Sequence, residues 1–232
     1  MSTNTNDQIS LVVFDMAGTT VEDSGLVQQS FLAADRHAGL SKTDADREEM
    51  LRYVSDTMGQ SKIVVFRHLA RGNEQQAQDA NKEFERCYAQ LVADGNCSPI
   101  PGAEELIRDL RSRGIKTALT TGFATETQSA IIDALGWRDL ADIVLCPGPG
   151  VRGRPYPDMP LTALMRTETD SVRSMIVVGD TSSDVTSGVR AGARAVVGVL
   201  TGAHDTAQLS AAGATHILDS VAELSGLVET LA

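Results

Sequence analysis

The chain is poor in cysteine, proline, positive charge and long apolar runs, and each shortage excludes a class of protein. Three cysteines in 232 residues, Cys87, Cys97 and Cys146, are too few and too scattered for a disulfide framework or a cysteine-rich zinc site. Their odd number suits a reducing compartment, and each reads as a buried or part-buried thiol. Seven prolines and 20 glycines, mixed evenly into a sequence that is 42% hydrophobic, exclude collagen-like, coiled-coil-dominated and wholly disordered chains. Lys plus Arg number 20 against 31 Asp plus Glu, a net charge of -11, so no broad positive field exists to grip a nucleic-acid backbone. An anionic small substrate would need a local cation or a bound metal in this acidic surface, which makes Mg²⁺ the expected cofactor. The longest apolar runs are strand-sized and the first ten residues, MSTNTNDQIS, carry no basic segment. Neither a membrane span nor export is supported, and a cytoplasmic location is expected.

What is present is a rhythm. Near-continuous apolar runs at Leu11–Phe14, Ile115–Leu119, Ile143–Leu145, Met175–Val178, Ala195–Val199 and, more weakly, His216–Leu218 read as strands buried on both faces. Helical patterns separate them at Ala103–Arg113, Glu126–Leu135, Met159–Arg166, Asp184–Ala191, Asp205–Ala212 and Ser220–Leu231. This alternation predicts an α/β fold with a doubly wound parallel sheet. Between Gly25 and about Asn96 the rhythm breaks, and Gln28–Ala38, Asp44–Asp56, Lys62–Ala70 and Glu74–Ala93 all carry helical apolar spacing. The expected organisation is a core domain of residues 1–23 and 97–232 with a helical cap of residues 24–96 inserted after the first strand. Such an insertion sits over the C-terminal edge of the sheet, where ligands of open α/β sheets bind.

Polar residues cluster at the expected strand tips. Asp15 ends the first strand, Thr120 and Thr121 end the second, Arg154 follows the third, and Asp180 and Asp184 follow the fourth. In a parallel sheet these tips converge on one edge and bring together carboxylates for a hard cation, a nucleophile, a fixed cation and two hydroxyls. That inventory suits a phosphoryl group. His37, His68, His204 and His216 have no metal-ligand spacing and read as structural or solvent-facing, Trp137 as packing, and Asp205 as a helix cap.

The segments Phe14-Asp15-Met16-Ala17-Gly18-Thr19-Thr20-Val21, Gly153-Arg154-Pro155 and Gly179-Asp180-Thr181-Ser182-Ser183-Asp184 resemble the signature segments of the haloacid dehalogenase superfamily over nearly the whole chain. The resemblance implies a Rossmann-like core with a cap and an Asp15 nucleophile. It also implies Mg²⁺ held by Asp15, the Ala17 carbonyl and Asp180 or Asp184, with Arg154 neutralising the phosphoryl group. Phosphate-ester hydrolases of the superfamily carry a second Asp two residues after the nucleophile as acid and base, and this chain has Ala17 there.

Asp15-Met16-Ala17-Gly18-Thr19-Thr20-Val21, Met58-Gly59-Gln60-Ser61-Lys62 and Gly153-Arg154-Pro155-Tyr156-Pro157 with Met159 are similar to the phosphonoacetaldehyde hydrolase (phosphonatase) family. That likeness implies hydrolysis of a P–C bond, with Lys62 forming a Schiff base to the substrate aldehyde so that the carbon leaves as an enamine. It places Gly18, Thr19, Met58, Gly59, Thr120, Thr121 and Gly122 against the substrate, and implies a homodimer through the cap. At three positions where that family has a thiol, a histidine and a tyrosine, the chain has Gly25, Val65 and Phe123. The alternative is a phosphatase acting on a small phosphomonoester without the usual second Asp, and a non-catalytic phosphometabolite binder is the third. Phe31, Leu32, Val64 and Phe66 are the apolar cap residues expected to face a second copy.

Overall fold

The computed structural model describes residues 8–231. Residues 1–7 and Ala232, the ends of the expected core segments, lie outside the described residues. In chain order the elements are β1 (Leu11–Asp15), α1 (Leu26–Ala38), α2 (Asp44–Asp56), α3 (Lys62–Leu69), α4 (Glu74–Ala93), α5 (Ala103–Ser112), β2 (Lys116–Thr120) and α6 (Thr125–Ala134). There follow β3 (Ile143–Leu145), α7 (Asp158–Arg166), β4 (Met175–Gly179), α8 (Ser182–Ala191), β5 (Ala195–Val199), α9 (Thr206–Ala212), β6 (His216–Leu218) and α10 (Leu224–Leu231).

The strands form one parallel sheet in the order β3-β2-β1-β4-β5-β6. β1, β4 and β5 are buried along their whole length, as apolar strands covered on both faces must be. The chain leaves β1 for one half of the sheet and crosses to β4 for the other, so the strand order reverses beside β1. Ligands of doubly wound sheets bind at that crevice. Register puts Asp15 level with Thr120, which fixes two of the expected polar groups side by side.

The connection from β1 to α5 holds α1 to α4, the expected run of helices. α4 buries Ala77, Ala80, Phe84, Tyr88 and Val92, an i, i+3, i+4 stripe, against α1. A Thr43–Asp46 capping box starts α2, and a buried Asp35 accepts from Ser41 N at 2.7 Å and Arg47 Nε at 3.3 Å, tying α1 to that start. The short β-branched run Ile63-Val64-Val65 lies inside α3, where tertiary packing overrides its strand preference.

Phe31 and Phe66 are fully buried, with ring centroids 4.9 Å apart, and Phe84 lies 4.8 Å from Phe31. Of the four residues that suggested a cap-to-cap homodimer, Val64 alone is exposed, at 48%, because the phenyl rings fill the helical layer's own interior. The same aromatic cluster reaches the sheet layer through Phe123, which lies 6.1 Å from Phe84 and 4.4 Å from Tyr88.

Two further contacts hold the helices on the sheet edge. Gly122 lies so close to the 58–61 loop that a Cβ there would sit 2.6 Å from the Gln60 carbonyl, and the Gly122 carbonyl accepts from Lys62 N at 3.3 Å. His204, after β5, accepts from Ser182 N at 2.8 Å through Nδ1 and faces the Ser55 carbonyl at 3.2 Å through Nε2. A backbone amide only donates, so Nε2 carries the proton and donates to Ser55 at the end of α2. No helix among the described residues is long and apolar enough to cross a membrane.

Because Phe84 is the hub of the aromatic cluster, Phe84→Ala is expected to destabilise the protein by about 3–5 kcal/mol. Urea unfolding followed by circular dichroism measures this, and a loss below about 1 kcal/mol would mean that the cluster does not hold the helical layer together.

Candidate active site

One cavity of about 140 Å³ opens where the strand ends meet. Asp15, Ala17 and Gly18 line it from the turn after β1, Thr121 and Gly122 from the end of β2, Arg154 from the loop before α7, and Asp180 from the end of β4. Met58, Gly59 and Lys62 close it from the helical layer. Gly18 has φ +91°, and a Cβ there would stand 2.5 Å from Asp180 Oδ2, so only glycine lets the β1 turn pass over the β4 carboxylate.

Arg154 organises the floor. Its Nη1 lies 2.7 Å from Asp15 Oδ1, its Nε 2.7 Å from Asp184 Oδ1, and its Nη2 donates to Thr120 Oγ1 at 2.5 Å. Thr120 Oγ1 in turn donates a hydrogen bond to the Phe14 carbonyl at 3.0 Å. Asp180 accepts from Thr19 Oγ1 at 3.1 Å and from Ala203 N at 2.8 Å. Thr181 donates both its amide and its hydroxyl to Asp184 while capping α8. Of the residues expected at the site, Thr19, Thr120 and Asp184 therefore stand behind the cavity wall and hold the groups that form it.

Burial pushes the Asp15 carboxyl well above the usual carboxylate range; the Arg154 pair opposes that shift, while Asp184 and Asp180 add to it. Asp180 is raised to about 7, first by burial and then by Asp184. The carboxylates of Asp15, Asp180 and Asp184 offer oxygens within 4.8 Å of one another. Ionised together, three buried carboxylates against one guanidinium would carry two uncompensated negative charges, which a divalent cation with a preference for oxygen would neutralise. The residues fit a Mg²⁺ site.

Lys62 opens α3, and its side chain is 95% buried, since its exposure is 5%. Among the described residues it makes no side-chain hydrogen bond or ion pair. Its Nζ stands 5.2 Å from the Phe123 ring centre and 5.9 Å from those of Phe31 and Phe84. Burial lowers its pKa, and the carboxylates of Glu85, Asp23 and Asp15 offset part of the shift. A more readily deprotonated amine is a better nucleophile.

Sequence reasoning did not place Asp23, Val27, Thr181, Thr201, Gly202 and Ala203 in the wall. The position of residues 201–203 directly after β5 was a usable signal, because that strand ends on the same edge. Asp23 had none, since it reads locally as part of a polar turn.

The raised Asp180 carboxyl gives metal-free protein a defined pH response. Its ordinary value is 3.8 and its native value about 7, so between those limits the native state holds a proton that the unfolded chain has lost. Stability from this group is fully present below about 3.8, is lost progressively as pH rises to about 7, and is level above that. In calorimetry without metal, the wild type is expected to lose melting temperature from pH 5 to pH 8 relative to Asp180→Asn, and Mg²⁺ at pH 8 to restore it only in the wild type. A pH-independent difference between the two proteins would contradict the assignment.

The haloacid dehalogenase-like hydrolase family profile matches residues 9–192. The chain is 30% identical over 212 residues to a phosphonoacetaldehyde hydrolase of Bacillus cereus (strain AH187), covering 85% of this chain and 78% of that one. It is 28% identical over 224 residues to a probable phosphatase, IndB, of Dickeya dadantii (strain 3937), covering 95% and 94%. The fold matches a hydrolase from Pseudomonas syringae with a TM-score of 0.83 at 21% identity, covering 96% and 99% of the two chains. It also matches a phosphonoacetaldehyde hydrolase-like protein from Oleispira antarctica with a TM-score of 0.81 at 24% identity, covering 100% and 96%. With its parallel sheet, its strand-tip carboxylates and a profile match over most of its length, the chain belongs to the haloacid dehalogenase-like hydrolases and is related to the phosphonoacetaldehyde hydrolases.

Proposed function

We propose that the chain is a Mg²⁺-dependent hydrolase that cleaves the P–C bond of phosphonoacetaldehyde or a similarly small carbonyl-bearing phosphonate. The observation that carries this is Lys62, a buried lysine without a hydrogen-bond partner among the described residues, in the wall of the cavity that holds Asp15 and Arg154. Such a lysine is an amine waiting for a carbonyl. Its condensation with an aldehyde gives a protonated imine, which accepts the electron pair of the breaking P–C bond. Ala17 then needs no acidic side chain, because carbon leaves as an enamine and not as an alkoxide. The cavity of about 140 Å³ limits the substrate to a few carbons.

Asp15 is the nucleophile toward phosphorus in this scheme, and Arg154 both orients it and meets the phosphoryl oxygens. Gly18, Thr121 and Gly122 line the phosphoryl end, while Met58 and Gly59 set the approach to Lys62. Asp15, the Ala17 carbonyl, Asp180 and Asp184 would hold Mg²⁺, which when bound offsets the repulsion between an anionic nucleophile and an anionic substrate. The name of the Bacillus cereus relative supports this chemistry. Val27 and Phe123 in the cavity wall give the carbonyl end an apolar surface. A second proposal, phosphomonoester hydrolysis, is favoured by the probable phosphatase of Dickeya dadantii, to which 95% of the chain aligns.

Incubation with phosphonoacetaldehyde followed by borohydride is expected to leave a mass-shifted adduct on the peptide containing Lys62. Lys62→Ala should lose the adduct and P–C cleavage, while turnover of acetyl phosphate should barely change. Asp15→Asn should abolish both activities with the fold retained. Good phosphate-ester turnover without adduct or P–C cleavage would favour the phosphatase instead.

A further inference from the structure

The scheme above leaves one proton unassigned. When the P–C bond breaks, its electron pair passes into the Lys62 imine and leaves a neutral enamine, whose terminal carbon must take a proton before the aldehyde can be released. Ala17, Val27, Met58 and Phe123 in the cavity wall carry no acidic proton, and neither do Gly25 and Val65. Asp15 and Asp180 belong to the Arg154 and metal cluster, and Thr121, Thr181 and Thr201 offer hydroxyls far too weak as acids. Asp23 is the remaining carboxyl group in the wall.

Its placement suits the task. Asp23 lies at the entrance to α1, where Oδ1 accepts from Val27 N at 3.2 Å, and this bond fixes the group beside an apolar neighbour. Asp23 and Lys62 both line the cavity, and the Lys62 charge works against the upward shift of the Asp23 carboxyl. Burial raises the carboxyl above its ordinary value, against the pull of the Val27 amide, Lys62 and the Leu26 amide. A carboxyl group that keeps its proton longer is a donor to carbon as well as an acceptor. Glu85 also feels Lys62, but it lies outside the cavity wall and accepts from Ala124 N at 3.3 Å between α4 and α6.

We propose that Asp23 is the proton-transfer residue of this cavity, protonating the enamine carbon that P–C cleavage leaves on Lys62. The proposal rests on the Lys62 imine described above. The Asp23 carboxylic acid gives its proton to the terminal enamine carbon, which restores the iminium and leaves the Asp23 carboxylate. Water then adds to the iminium carbon, and its proton returns to Asp23. The resulting carbinolamine expels the aldehyde as its hydroxyl proton moves to nitrogen, so the lysine amine and the Asp23 acid are both regenerated.

The test is a rapid-mixing comparison of wild type and Asp23→Asn with phosphonoacetaldehyde, following phosphonate consumption and aldehyde release separately. Asparagine keeps the side-chain oxygen that accepts from Val27 N, so thermal stability serves as the check that the start of α1 is intact. The expected result is that Asp23→Asn consumes about one phosphonate per active site at near the wild-type rate and then stalls, with aldehyde release slowed about 100-fold. Borohydride present from the moment of mixing should still trap Lys62 in the variant as the imine that precedes cleavage, whereas borohydride added after the stall should trap little, and Asp23→Glu should recover part of the release rate. Aldehyde release within threefold of wild type would overturn the proposal while wild-type trapping left the imine standing. Slowing of the first turnover along with release would also overturn it, because Asp23 would then act before P–C cleavage. Absence of both trapping and P–C cleavage in the wild type would remove the imine and this role with it.

Discussion

The structure turns on a buried cation. Arg154 holds Asp15 and Asp184 at 2.7 Å each and Thr120 at 2.5 Å, and these three partners come from the ends of β1 and β2 and the start of α8. One guanidinium thus fixes the relative position of three loops that are distant in sequence. Its fork geometry suits the work, since its three nitrogens reach Asp15, Asp184 and Thr120 separately. Removing it would leave several carboxylates buried without a counter-charge, a far larger penalty than the loss of a surface pair. One guanidinium does not neutralise three ionised carboxylates, and the charge left over suits a divalent ion.

The helical layer answers a different constraint. Its interior is built from phenyl rings, and the same rings surround Lys62 Nζ at 5.2–5.9 Å. An apolar surrounding weakens the charged form of an amine, while facing aromatic rings and nearby carboxylates support it. The balance leaves a lowered pKa and an amine fixed in position. Because Phe84 and Phe123 serve both the packing and the lysine, the stability of the layer and the placement of Lys62 are coupled. Tyr88 OH and Glu85 Oε2 lie buried without a hydrogen-bond partner in the same helical layer.

The six strands and most helices were legible because buried parallel strands need continuous apolar runs and surface helices need a 3.6-residue stripe. Boundaries moved by one to four residues where a cap or a short turn decided them. Thr181 starts α8 ahead of Asp184, and Val221–Glu223 forms a 3-10 turn ahead of α10. Asp15, Lys62, Arg154 and Asp180 were legible as candidates because each stands in a motif with recognisable neighbours. Their division into wall and support was not: Thr120 and Asp184 sit beside wall residues in sequence yet face Arg154.

Sequence alone determined the alternation of strand and helix, the acidic character, and the set of strand-tip residues, since these depend on local pattern and on the fixed rule that parallel strands end on one edge. Tertiary structure decided which carboxylates share a guanidinium, that Phe31 and Phe66 face inward, and that Asp23 and residues 201–203 enter the cavity wall. Those facts depend on how elements distant in the chain approach each other. A polar turn looks the same in sequence whether it faces solvent or a lysine packed against it from another helix.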